Sequence, residues 1–229
     1  MKKTVILAAL LTSASLSADE AAPASSYSIT VDVPYTTKYV FRGVSYADDA
    51  MQPSVKLTVG DFYAGIWGSA PLDKGFELEI DYYLGYGVKL NDTWSLDLGA
   101  TLYSYPGLNG AGVDKTTFEP YAGFNGSFGG VTSGTYFYYD TTLDVFTAQQ
   151  SFGYSIPIDE KTSLNFAATL GHANPDAGSD YTYYGAGLTL PYKLSDQATL
   201  TLGAQYASHD LDGVEDDHFW GTVGITYTF

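Results

Sequence analysis

The chain has 229 residues, with 26 Asp and Glu against 10 Lys and Arg, a net charge of −16, no cysteine, 21 Tyr, 12 Phe and 25 Gly. That acidity makes nucleic acid a poor partner, and the lack of cysteine removes a disulfide framework, a thiolate metal site and a Cys nucleophile. Only 16% of residues are charged, and a disordered acidic chain would be poor in aromatics; the composition suits a membrane barrel with aromatic girdles.

The N-terminus reads as an export signal. Met1-Lys2-Lys3 precedes an apolar stretch, Val5 to Leu11, and then the small-residue tract Thr12-Ser13-Ala14-Ser15-Leu16-Ser17-Ala18. This order predicts a secretory signal peptide over 1–17. Cleavage after Ser17 leaves Ser15 and Ser17 at the two specificity positions, whereas cleavage after Ala18 would put Leu16 in the upstream one. The apolar stretch is too short for a spanning helix, which needs about 20 apolar residues. Removing Lys2 and Lys3 leaves 8 basic residues against 26 acidic ones. Residues 18–26, rich in Ala, Ser and Pro, read as a flexible leader, and 27–229 as one domain. No later run is long enough to cross a bilayer as a helix, so a membrane-embedded chain must close into a barrel.

The clearest strand signal is Phe76-Glu77-Leu78-Glu79-Ile80-Asp81-Tyr82-Tyr83-Leu84-Gly85-Tyr86-Gly87-Val88, in which every even position is apolar. A period of two over this length is ordinary for a barrel wall and long for a soluble strand. About twelve such segments follow one another: Tyr27–Arg42, Met51–Val59, Asp61–Ala70, Phe76–Lys89, Trp94–Tyr105, Thr116–Gly126, Val131–Asp140, Leu143–Pro157, Thr162–Ala173, Tyr181–Tyr192, Ala198–Ser208 and His218–Phe229. The predicted class is all-β, a closed up-and-down antiparallel transmembrane β-barrel of about 12 strands.

The connections support this register. Gly60-Asp61, Asn91-Asp92, Gly129-Gly130, Asp159-Glu160 and Ser195-Asp196 carry tight-turn chemistry after even strands. Gly43–Ala50, Pro106–Lys115, Asn174–Asp180 and Asp210–Asp217 are longer, with Asp140–Thr142 the short exception. Short periplasmic turns and long outer loops are the pattern of an outer-membrane barrel. Phe219, Val223, Ile225, Tyr227 and the terminal Phe229 share one face; this last strand resembles the C-terminal signature that such barrels present to the barrel-assembly machinery.

Parity sorts the charges into the lumen. Lys38, Arg42 and Lys56 fall inward on the first two strands, and Glu77, Glu79, Asp81, Asp97 and Glu119 inward on the fourth to sixth. The expectation is a basic wall facing an acidic wall across a pore, with Gly85, Gly87 and Gly99 leaving room beside the charges. Acid in excess implies a preference for cations. The alternative is that these charges pair and fill a closed lumen. The acidic segment Asp210-Leu211-Asp212-Gly213-Val214-Glu215-Asp216-Asp217 lacks EF-hand spacing and reads as a solvated loop. His172, His209 and His218 sit at predicted outer strand ends, with neither zinc spacing nor a nucleophile-elbow Ser, so they read as rim residues. Gly123–Gly130 lacks a phosphate-loop motif.

Five motifs then carry a family likeness: Tyr39-Val40-Phe41-Arg42-Gly43-Val44-Ser45, Phe62-Tyr63-Ala64-Gly65-Ile66-Trp67-Gly68-Ser69, Glu79-Ile80-Asp81-Tyr82-Tyr83-Leu84-Gly85-Tyr86, Tyr103-Ser104-Tyr105-Pro106-Gly107 and Glu119-Pro120-Tyr121. In this order they resemble the TorF family of porin-like proteins, a conserved bacterial family of unknown function. The likeness runs over Tyr39–Tyr121, and Tyr46 stands where the family pattern has Gln. The resemblance implies a porin-like barrel and supplies no substrate. Family motif and lumen parity coincide at Arg42, Glu79, Asp81 and Glu119.

The sequence therefore predicts a passive outer-membrane channel for small hydrophilic solutes, cation-preferring and non-enzymatic, with no cofactor and no bound metal. Its surroundings would be outer-membrane lipid, solutes or ions, and the assembly machinery at Phe229. Two alternatives stand beside it: a structural or adhesion-type barrel with a closed lumen, and a lipid-modifying enzyme using a rim His.

Overall fold

The computed structural model describes residues 27–108 and 114–229; the predicted signal peptide and leader, and the middle of the Pro106–Lys115 loop, lie outside the described residues. The elements run β1 (Ser28–Thr36), β2 (Tyr39–Phe41), β3 (Val44–Ala47), β4 (Ala50–Met51), β5 (Ser54–Val59), β6 (Phe62–Pro71), β7 (Glu79–Lys89) and β8 (Trp94–Ser104). They continue with β9 (Thr116–Phe128), β10 (Val131–Asp140), β11 (Val145–Pro157), β12 (Ser163–Pro175), β13 (Tyr181–Lys193), β14 (Ala198–His209) and β15 (His218–Thr228).

Each wall strand pairs antiparallel with its neighbours, and β15 closes on β1 from Thr30↔Thr228 to Thr36↔Thr222. β4 and β5 form a single stave interrupted at Gln52-Pro53, where proline has no N–H for the ladder. The wall is a closed barrel of 12 strands, as the alternation predicts. Closure leaves no free edge and satisfies the backbone internally, which hydrocarbon demands.

Alternation sets the two faces. Val55, Leu57, Phe62, Ile66, Leu84, Leu98, Phe152, Leu170 and Ile225 stand exposed on the outside. Glu79, Asp81, Tyr83, Tyr103 and Glu119 are buried on the inside. The tight turns take the predicted chemistry: Gly60 has φ 58°, and Gly129 and Gly130 have φ 59° and 83°. The Asp159 carboxylate accepts the Lys161 N–H at 2.8 Å, which holds its pKa below the usual carboxylate value. At the short outer connection, Asp140 Oδ1 accepts the N–H groups of Thr142 and Leu143, both at 2.8 Å, so a side chain closes the turn.

Three boundaries differ from the sequence expectation with consequences for the site. The first wall strand ends at Thr36, not Arg42, and the expected outer loop beginning at Gly43 is half of a second hairpin. The fourth begins at Glu79, not Phe76, so Glu77 lies exposed in the preceding outer connection and is not on the wall. The last strand ends at Thr228, one residue before Phe229.

Candidate functional site

The site begins where β1 stops. The Thr36 hydroxyl donates to the Lys38 carbonyl at 2.7 Å, turning the chain off the wall. β2 and β3 then pair with each other, Phe41 opposite Val44, across the two-residue turn Arg42-Gly43. Both turn residues have positive φ, 45° and 82°, the left-handed pair required by a type I′ hairpin. This hairpin is a separate two-stranded sheet with no ladder to the barrel.

It folds into the lumen. Tyr39, Phe41 and Ala47 are buried together with Tyr103 and Tyr105 of the wall side, and Trp67 of β6 packs on them, its ring 5.5 Å from Tyr39. On the opposite side Val44 packs against Val145, Ala173, Tyr181 and Tyr183. The tip reaches β14: a Cβ placed on Gly43 would lie 2.8 Å from the Ser208 carbonyl oxygen and 2.9 Å from Tyr183 Cβ. The wall residues it meets lie toward the outer ends of their strands, so the hairpin occupies the outer half of the lumen. A period-two pattern cannot separate such an insert from the strand before it, because the insert is itself β.

Arg42 is fixed from several directions. Its Nη1 donates to Thr147 at 2.7 Å, and Nη1 and Nη2 lie 3.3 Å from Glu119 Oε2 and Oε1. The guanidinium also sits 4.6 Å from the Tyr138 ring centre and 5.1 Å from that of Phe41. The Tyr103 hydroxyl donates to Glu119 at 3.3 Å. With side chains only 2% and 1% exposed, Arg42 and Glu119 form an ion pair shielded from water. Glu79, which accepts from Tyr105 at 3.2 Å, Asp81 and Asp140 are buried too. The expected separation of basic and acidic walls is therefore overturned for Arg42, which the hairpin carries into contact with the acidic side.

Toward the periplasm lies a second cluster. The hydroxyls of Tyr63 and Tyr136 donate to the two Asp97 oxygens at 2.8 and 3.0 Å. The hydroxyls of Tyr63 and Tyr121 meet at 2.5 Å, and Asn125 Nδ2 donates to Tyr136 at 3.0 Å. Tyr63 reaches Asp97 by passing over Gly85, its own cross-strand partner. The glycines expected to leave room are in part occupied: the Tyr63 ring covers Gly85 and the Tyr121 ring covers Gly99. Gly87 is open, since a methyl group there would have only the Asp61 carbonyl nearby, at 3.8 Å.

The remaining candidates separate. Lys56 faces inward on β5, between Ser54 and Thr58. Lys38 lies between β1 and β2, 3.9 Å from Asp48 at the outer mouth. His209 and His218 are buried, their rings 6.3 Å apart, and His172 is on the exterior, 3.4 Å from Asp180. No group of three or more His, Asp and Glu is placed to hold a metal among the described residues. Sequence reasoning missed Tyr63, Tyr121, Tyr136, Tyr138 and Thr147; the available signal was Tyr and Gly sharing the inward parity of neighbouring strands.

An apolar exterior, a polar and aromatic lumen and complete closure define a transmembrane β-barrel of the bacterial outer membrane. Residues 20–223 match the family described as a bacterial protein of unknown function (Gcw_chp), and the chain belongs to that family. This agrees with the bacterial family of unknown function suggested by the motifs; the TorF name is not part of the match. No curated protein matches the sequence. Among solved structures, a KdgM porin is similar with TM-score 0.61 and 11% identity over 87% of this chain and 99% of that one. A NanC porin is similar with TM-score 0.57 and 14% identity over 87% and 98%. A KdgM porin in complex with disordered oligogalacturonate gives TM-score 0.60 and 12% identity over 88% and 99%. These likenesses concern the fold.

Proposed function

We propose that the protein is a passive outer-membrane channel for small hydrophilic solutes whose outer half is narrowed by the Tyr39–Ala47 hairpin. The observation that carries this reading is that the obstruction is not part of the wall: the backbones of β2 and β3 pair only with each other, while the barrel closes without them. A barrel of this size lies between filled small barrels and water-filled porins, so an inserted element can decide the open cross-section. Lys56, Glu79, Asp81, Asp97 and Glu119 line the passage from the wall, Arg42 enters on the hairpin, and Lys38 stands at its mouth. Since Glu119 neutralises Arg42, the remaining Glu79, Asp81 and Asp97 favour cations. An acidic oligosaccharide, such as the one in the KdgM complex, suits this lumen poorly because like charges repel.

The test is conductance of the refolded chain in a planar bilayer, compared with a chain in which residues 40–46 are replaced by Gly-Gly. The excised form should show larger, steadier steps, with cation preference reduced by Asp81→Asn. One observation favours a closed structural barrel instead, the shielded Arg42–Glu119 pair; a folded but silent excised barrel would establish that reading.

On this reading residues 1–17 are removed on export, and the last strand addresses the chain to the assembly machinery, with Phe229 exposed at its end. Deleting Phe229 should lower the heat-modifiable, folded fraction recovered in outer membranes; an unchanged fraction would dismiss that role.

A further inference from the structure

In the register of the wall, inward-facing tyrosines repeatedly stand opposite glycines: Tyr63 opposite Gly85, Tyr83 opposite Gly65, Tyr121 opposite Gly99, Tyr136 opposite Gly123 and Tyr183 opposite Gly171. At each of these glycines an added Cβ would collide with the partner's ring or hydroxyl. Each ring therefore lies across the neighbouring strand, in the space a side chain would fill.

Three of these inward rings, Tyr63, Tyr121 and Tyr136, form a continuous track with Tyr138, which stands opposite Tyr121 with its ring 5.8 Å away. From the hairpin tip, Arg42 sits on Tyr138, which stacks on Tyr136 at 5.8 Å and 19°. Tyr121 lies 6.1 Å from Tyr136, and its hydroxyl meets that of Tyr63. Along one edge of the track run Asp97 and Asn125, already oriented by tyrosine hydroxyls. The centre-to-centre spacing is comparable to one sugar residue. A pyranose has an apolar C–H face that suits a flat ring and a rim of hydroxyls that donate to a carboxylate and an amide oxygen.

We infer that the track formed by Tyr63, Tyr121, Tyr136 and Tyr138, with Asp97 and Asn125 at its edge, is a binding station for neutral saccharides. It deepens the channel reading, since a saccharide on this track is a solute in transit, but binding can be measured whether or not the barrel conducts. The glycines are the specificity-determining partners: the atoms nearest an added methyl group at Gly85 and Gly123 are side-chain atoms of Tyr63 and Tyr136, so that methyl would push one ring into the lumen.

The experiment is saturation-transfer NMR on the full mature chain refolded in detergent micelles, with maltotriose, cellotriose and chitotriose as probes and folding checked by heat-modifiable migration. At least one probe should bind, and Tyr121→Ala and Tyr136→Ala should each weaken it about tenfold. Gly123→Ala, which keeps every aromatic ring but displaces one, should weaken it in the same direction, and trigalacturonate should bind less well than the neutral probe. Folded protein that binds none of the three, or binds unchanged after both tyrosine substitutions, overturns the station. If binding fails while the hairpin-excised chain conducts, only the station is lost; binding by a silent barrel would remove the channel reading and leave the station.

Discussion

Arg42→Ala is expected to unseat the hairpin and leave the barrel wall intact. Glu119 would then be a shielded carboxylate whose nearest remaining donor is the Tyr103 hydroxyl at 3.3 Å. Leaving one partner of a buried ion pair alone costs about 3–5 kcal/mol. The chain can avoid that cost by letting the hairpin move out and water reach Glu119, because no ladder ties β2 and β3 to the wall. The expected result is a larger bilayer conductance than wild type, together with chymotryptic cleavage after Phe41, in protein whose heat-modifiable migration is unchanged. Gly43→Ala should act in the same direction by a different route, since its φ of 82° strains any side chain and the new Cβ would press on the Ser208 carbonyl. Glu119→Gln should have a smaller effect, because Thr147 and Tyr138 still hold the guanidinium. Wild-type conductance and protease resistance in both Arg42→Ala and Gly43→Ala would show that the pair is no latch.

Leu84→Arg should destabilise the barrel by about 2–4 kcal/mol when folding into phospholipid vesicles is followed by guanidinium titration, the range for a basic side chain placed at the bilayer midplane. Leu84 is central in β7, points outward and is flanked across the ladders by Ala64 and Ala100. Its 53% exposure is exposure to hydrocarbon in the membrane, where a guanidinium can only snorkel or thin the bilayer. Thr169→Arg, on the inward parity of β12 between Ser151 and Gly185, should stay within about 1 kcal/mol of wild type because lumen substitutions leave the lipid face untouched. A larger cost for Thr169→Arg than for Leu84→Arg would mean that the faces have been assigned the wrong way round.

Much of this protein is legible locally, and the limits of that legibility follow from what a period of two can encode. The run from Glu79 to Lys89 announces its own strand, its two faces and the inward placement of Glu79 and Asp81, because each fact depends only on neighbours in the chain. The turn at Asn91-Asp92 is equally local: Asn91 Oδ1 accepts the N–H groups of Thr93 and Trp94. Tyr39 to Ala47 shows the opposite case. Its residues alternate like a wall strand and its turn, Arg42-Gly43, looks like the start of a loop. Whether the hairpin points to solvent or into the barrel depends on Glu119, Thr147 and Tyr138, of which the two hydrogen-bonded partners lie 77 and 105 residues away. Glu77 fails for a related reason, since the alternation continues past the point at which β6 stops offering a partner at Ser69.

The sequence by itself determined the class: a closed antiparallel barrel with an apolar exterior and a charged interior. Lipid permits no other arrangement of such strands, and alternation assigns each residue to one face. Only the tertiary structure decided what fills that interior. The pairing of Arg42 with Glu119 and the seating of tyrosine rings on glycines depend on the register between strands and on the path of one short hairpin. Both are fixed by long-range packing and electrostatics, which no local pattern records.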